Sequence, residues 1–65
     1  CIINTLALIE HDASVGDHCH ISTGAIINGR CKVGSYSFIG SGAIAVQETS
    51  IPDRSFIKAN ALFVK

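Results

Sequence analysis

Charge of either sign is scarce in this 65-residue chain, in which five lysines and arginines balance five aspartates and glutamates. That balance gives no support for nucleic acid as a partner, because a polyanion is recognised through a basic surface. No apolar run approaches the length that crosses a bilayer, so membrane insertion is not expected, and no signal-peptide pattern is visible. Apolar spacing at three and four residues, the mark of an amphipathic helix, is missing throughout, which argues against a helical domain. Cysteine is limited to Cys1, Cys19 and Cys31. An odd count argues against a disulfide framework, although Cys1 and Cys19 would stack closely enough to bridge. Reduced thiols packed as small hydrophobes are expected, and with them a cytoplasmic location. An initiator methionine is also lacking, and the repeat described next is still running at Lys65. The chain is therefore expected to be an excerpt of a longer protein.

What the sequence does have is a period of six. Starting at Ile3, every sixth residue is large and apolar: Ile3, Ile9, Val15, Ile21, Ile27, Val33, Ile39, Ile51, Ile57 and Phe63, with the smaller Ala45 in the one remaining place. Two residues before each stands a small one, from Cys1, Ala7, Ala13 and Cys19 through to Ser55 and Ala61. Residues two apart share a face of a strand, so the small and large member of each pair can both point inward. Six residues are too few for a helix pair but enough for one short strand and a turn. Three such units close a triangular coil of 18 residues, and the next coil stacks on it at the inter-strand spacing of about 4.8 Å. The expected fold is all-β: a parallel β-helix of about three and a half coils, three hexapeptides to each, over residues 1–65. Gly16, Gly34 and Gly40, with Asn4 and Asn28, follow the large residue and are expected to supply positive φ at the corners. Pro52 occupies the same place, where a missing N–H is tolerable.

So short a stack has a thin core. Each buried Ile or Val contributes on the order of 2 kcal/mol, most of which is offset by ordering the backbone, and both ends of the stack expose apolar rungs. Flanking coils and an oligomer are expected. The outward columns agree. Ser14, Lys32 and Ser50 form a polar wall, whereas Leu8, Ile26, Ile44 and Leu62 form an unbroken apolar stripe. A third column, Ile2, His20, Phe38 and Phe56, is apolar but for its histidine. Soluble monomers rarely display two such stripes. Two different patches that meet make a heterologous contact, which closes into a ring when the rotation permits, and three triangular prisms around a threefold axis satisfy this. A homotrimer is expected.

The chemistry concentrates in Ile9-Glu10-His11-Asp12 and in Gly16-Asp17-His18-Cys19-His20-Ile21-Ser22. His11 falls two residues past a large inward position, at a corner. One coil on, its column holds Gly29, which has no Cβ and leaves space above the imidazole; further along come Gln47 and Lys65. Imidazole is the side chain that titrates nearest neutrality, so it can take a proton from a nucleophile attacking a thioester. A neighbouring carboxylate can orient the ring and favour the imidazolium that forms. Asp12 is the first choice for this and Glu10 the second. His18 falls in a turn and is given no role.

These residues resemble the hexapeptide-repeat acyltransferases, whose coil is a left-handed parallel β-helix. The hand is implied by that resemblance alone, since the general preference for right-handed crossovers runs the other way. Ile3-Asn4-Thr5, Ile9-Glu10-His11-Asp12, His18-Cys19-His20-Ile21-Ser22, Gly24-Ala25 and Asn28-Gly29 are similar to one branch in particular. It is the sialic acid O-acetyltransferase type, which includes N-acetyltransferases for UDP-linked 4-amino sugars. The resemblance implies acetyl-CoA as co-substrate, a sugar or UDP-sugar acceptor, no metal, and His11 as general base with Asp12 raising its basicity. It also implies that His20 and the backbone at Gly29 lie by the acetyl group, that Asn4 lies near the acceptor, and that the coenzyme runs on past Ser41 and Ala59. Ile57-Lys58-Ala59-Asn60-Ala61 departs from the pattern in lacking the glycines often found there, and Lys58 and Lys65 could meet phosphate groups. The branch carries an N-terminal sugar-nucleotide domain with no counterpart in these 65 residues.

Two other functions fit the same residues. The coil could be a non-catalytic trimerising module, in which case His11 would be replaceable. It could also hold zinc, as some proteins of this fold do, through His18 and His20 with His11 or a symmetry mate.

Overall fold

Eleven strands, each two residues long and numbered β1 to β11 along the chain, follow one another at the six-residue period in a computed structural model that describes residues 1–64. Each strand is an outward residue followed by the large inward one, as in Leu8–Ile9. The first wall stacks β1 (Ile2–Ile3), β4 (His20–Ile21), β7 (Phe38–Ile39) and β10 (Phe56–Ile57). The second stacks β2 (Leu8–Ile9), β5 (Ile26–Ile27), β8 (Ile44–Ala45) and β11 (Leu62–Phe63). The third stacks β3 (Ser14–Val15), β6 (Lys32–Val33) and β9 (Ser50–Ile51). All pairing is parallel, and each residue lies opposite the one a full coil away: Ile2 with His20, Leu8 with Ile26, Ser14 with Lys32. The chain is thus a parallel β-solenoid of about three turns, with no helix among the described residues.

The inward columns build the core. Ile21, Ile27, Ile39 and Cys31 are fully buried, and Ala45 is buried with them despite its size. Packing weakens toward the first coil, where Ile9 and Val15 are half-buried and Ile3 is 48% exposed. Ser22, Ser37 and Thr49 are buried too, and among the described residues no buried side-chain polar atom lacks a partner.

The corners correct one sequence expectation. Positive φ falls not on the residue after the large one but two positions later, at Leu6, Asp12, His18, Arg30, Tyr36, Glu48, Arg54 and Asn60, and at Gly24 and Gly42. Between the first and second walls, and between the second and third, a backbone bond closes the corner. Ala7 N donates to Asn4 O at 3.1 Å and Ala13 N to Glu10 O at 3.2 Å. The left-handed residue stands third of the four, as in a type II turn. Gly16, Gly34 and Gly40 serve a different purpose: a Cβ on Gly16 would lie 2.7 Å from Ser35 N, one on Gly40 would lie 2.5 Å from Ala59 N, and one on Gly34 would meet Asp53 N. They let the next coil sit close.

The third corner, leading back to the first wall, has no such closing bond among the described residues. Its carbonyls are met by side chains, from the coil before and, at Pro52 O, also from Ser55 Oγ of the same corner at 2.7 Å. Cys1 Sγ donates to Gly16 O at 2.9 Å, Cys19 Sγ to Gly34 O at 3.1 Å and Ser37 Oγ to Pro52 O at 3.2 Å. The cysteines are free, as expected, but Cys1 is exposed, and Cys19 and Cys31 are hydrogen-bond donors as well as core atoms.

Candidate functional site

His11 lies in the corner between the second and third walls, one residue before the left-handed Asp12 (φ 58). Its carbonyl accepts the N–H of Arg30 at 3.0 Å, which fixes the backbone of this corner to that of the coil above. Directly over the ring stands buried Gly29, as the column spacing requires. A Cβ placed there would lie 2.8 Å from His11 Cε1 and 2.9 Å from Nε2, closer than real side-chain contacts come. Glycine at this place is what lets the imidazole lie against the next coil. The ring itself is exposed toward solvent.

Neither Glu10 nor Asp12 makes a hydrogen bond or ion pair with the His11 ring among the described residues. Above Asp12 in its own column, Arg30 pairs with Glu48 rather than with Asp12. Both partners are more than half exposed, so the pair contributes at most about 1 kcal/mol. Its geometric effect is to direct the guanidinium up the column and away from Asp12.

A second constellation sits on the first wall. His20, in β4, is half-buried between Ile2 and Phe38. Its ring lies 5.1 Å from that of Phe38 at 40°, and Phe38 in turn stacks on Phe56 at 5.1 Å and 11°. The amide nitrogen of Asn4 reaches up from the corner below to 3.0 Å from His20 Nε2. Two residues expected near acceptor and acetyl group are therefore in contact. They stand on a different corner and wall from His11, so one chain does not bring the three together. Ser41 and Ala59 are exposed, one coil apart, on the corner between the first and second walls. They too lie away from His11. Lys58 is exposed, and Lys65 lies outside the described residues.

The column reading gave His18 no role, and here the structure adds something. His18 stacks on Tyr36 at 5.1 Å and 26°, and the Arg54 guanidinium carbon lies 5.4 Å from the centre of the Tyr36 ring. The available signal was that three planar groups fall a coil apart in one column. Among the described residues no three His, Cys, Asp or Glu side chains gather as a metal ligand set, and no helix is long and apolar enough to cross a membrane.

A parallel solenoid with six-residue rungs and three rungs to the turn defines a class of protein, the hexapeptide-repeat β-solenoids. The family model for the bacterial transferase hexapeptide (six repeats) matches residues 12–45, just over half the chain, which belongs to this hexapeptide-repeat family. Neither the curated proteins nor the solved structures compared with it give a match.

Proposed function

We propose that this chain is the acyl-transfer module of an acetyl-CoA-dependent enzyme that acetylates an amine or hydroxyl of a sugar or sugar nucleotide. The observation that carries the reading is the seat of the His11 imidazole against Gly29, where a single Cβ would displace it. A corner kept clear for an exposed imidazole suits a reaction in which the attacking nucleophile must lose a proton. In this reading His11 takes that proton as the nucleophile adds to the thioester carbonyl, Asp12 favours the imidazolium, and the proton leaves with the coenzyme thiolate as the carbon–sulfur bond breaks. The Gly29 backbone and His20 lie by the acetyl group, Asn4 near the acceptor, and Ser41 and Ala59 along the coenzyme.

The same geometry supports an assembly. His11 and the Asn4–His20 pair stand on different corners, so a shared site needs two chains. The half-exposed stripe of Leu8, Ile26, Ile44 and Leu62 offers one apolar wall and the Phe38–Phe56 column another, which is the heterologous pairing a homotrimer uses. The coil in this reading is left-handed. Three free thiols suit the cytoplasm.

A trimerising module without catalysis is the second reading, favoured by the apolar stripe, which would serve assembly whatever stands at position 11. One experiment separates the two. In the complete protein, His11→Ala is expected to lower acetyl transfer by about 10²-fold or more while the trimer mass is kept. Full turnover in correctly assembled His11→Ala protein would leave only the structural role.

A further inference from the structure

We infer that Asn4 is a positioning residue that sets the tautomer of His20, placing the ring proton on Nδ1 and leaving Nε2 bare. The inference stands on one contact and on how firmly both partners are held. Asn4 Nδ2 lies 3.0 Å from His20 Nε2. With the amide turned so that Nδ2 faces the ring, as here, the group carries two protons and no lone pair to offer, and the ring nitrogen facing it accepts. A neutral imidazole has one proton, which then resides on Nδ1. Both backbones are held. The Asn4 backbone donates to Ile21 O at 2.9 Å and accepts from Ala7 N at 3.1 Å, locking the corner from which the amide rises. The His20 backbone is held in β4, its N–H bonded to Ser37 O at 3.0 Å, and its ring leans on Phe38, itself stacked on Phe56.

Among the described residues His20 Nδ1 has no protein partner. The half-buried ring therefore presents an unclaimed N–H donor rather than a lone pair. For its kinetic consequence the inference rests on the acyl-transfer reading: such a donor suits a carbonyl oxygen that gains negative charge, whereas the opposite tautomer would offer that oxygen only repulsion. Asn4 then acts through His20 on the transition state. That role differs from direct contact with the acceptor.

Nitrogen-15 NMR of the imidazole in the complete protein tests the assignment without reference to turnover. The wild type is expected to show a protonated Nδ1 and an unprotonated Nε2. Asn4→Ala is expected to move His20 to the Nε2–H form that free histidine prefers. Asn4→Asp, whose carboxylate can only accept, is expected to hold the proton on Nε2 and so invert the wild-type pattern. An Nε2–H signature in the wild type, or an unaltered signature in both variants, would overturn the inference. In steady-state kinetics Asn4→Ala is expected to lower kcat by about tenfold or more while the acceptor KM stays within about twofold. A raised acceptor KM at unchanged kcat would make Asn4 an acceptor contact and refute the positioning role. Should His11→Ala prove fully active, the acyl-transfer reading fails while the tautomer result still decides this one.

Discussion

Glycine does two separate jobs in this chain, and they predict different penalties. Gly24 has a φ of +71 and open space around its missing Cβ, the nearest atom being Gly42 N at 4.0 Å. Gly24→Ala is therefore expected to cost only the left-handed backbone term, roughly 1–2 kcal/mol in denaturant unfolding. Gly34 has an ordinary φ, but its Cβ would strike the backbone of Pro52 and Asp53. Gly34→Ala should cost more than Gly24→Ala, since two coils must part; the reverse order would mean that the corners yield more easily than the stack. Gly29→Ala is the functional counterpart. Its Cβ would meet a side chain, so the His11 ring is expected to swing out and turnover to fall by on the order of 10²-fold with little change in stability. From sequence, Gly34 was marked by its place after a large residue and read as a positive-φ corner, Gly29 was marked by its column above His11, and the left-handed role of Gly24 was not read at all. Leu6, Tyr36 and Arg54, which take positive φ beside Gly24, Gly42, Asp12 and Asn60, carry no local signal for it and adopt it because the coil must turn every six residues. The Asn4–His20 contact was equally hidden, because it joins residues 16 apart rather than one coil apart.

Strands and stacking, by contrast, were legible almost completely. An inward large residue every sixth place fixes strand position, and three units per coil fix which residues stack, so the opposition of Leu8 to Ile26 and of His11 to Gly29 follows from counting. Corners were legible in place but not in kind. Two of the three close by a backbone bond, while the third has its carbonyl met by a thiol or hydroxyl from the coil before, joined at Pro52 by the hydroxyl of Ser55 in the same corner. In the sequence Cys1, Cys19 and Ser37 read only as small inward residues; their shared donor role depends on a carbonyl 15 positions on. Cys19→Ala is accordingly expected to cost about 1 kcal/mol for the lost donor beyond any packing change, and Cys19→Ser to recover part of it. Equal stability of the serine and alanine variants in urea unfolding would show that the third corner does not need that bond.

At the scale of the molecule, the proposed trimer rests on an exposed apolar wall and on the separation of the candidate site residues within one chain. The second wall leaves Leu8, Ile44 and Leu62 at 46%, 37% and 62% exposure, a stripe that water covers poorly. Ile44→Lys, which keeps the inward residues untouched, is expected to dissociate the proposed trimer in analytical ultracentrifugation and to abolish acetyl transfer with it; a trimer that survives the charge would place the interface elsewhere. The prism also separates His11 from the Asn4–His20 pair by a wall, a division that column counting within one chain did not expose because it treats each corner alone. The most direct measurement of the central claim is a crystal structure of the complete protein with acetyl-CoA. The account predicts the acetyl group between two chains, within reach of the His11 corner of one and the Asn4–His20 wall of another; coenzyme bound away from the His11–Gly29 corner, or within a single chain, would contradict it.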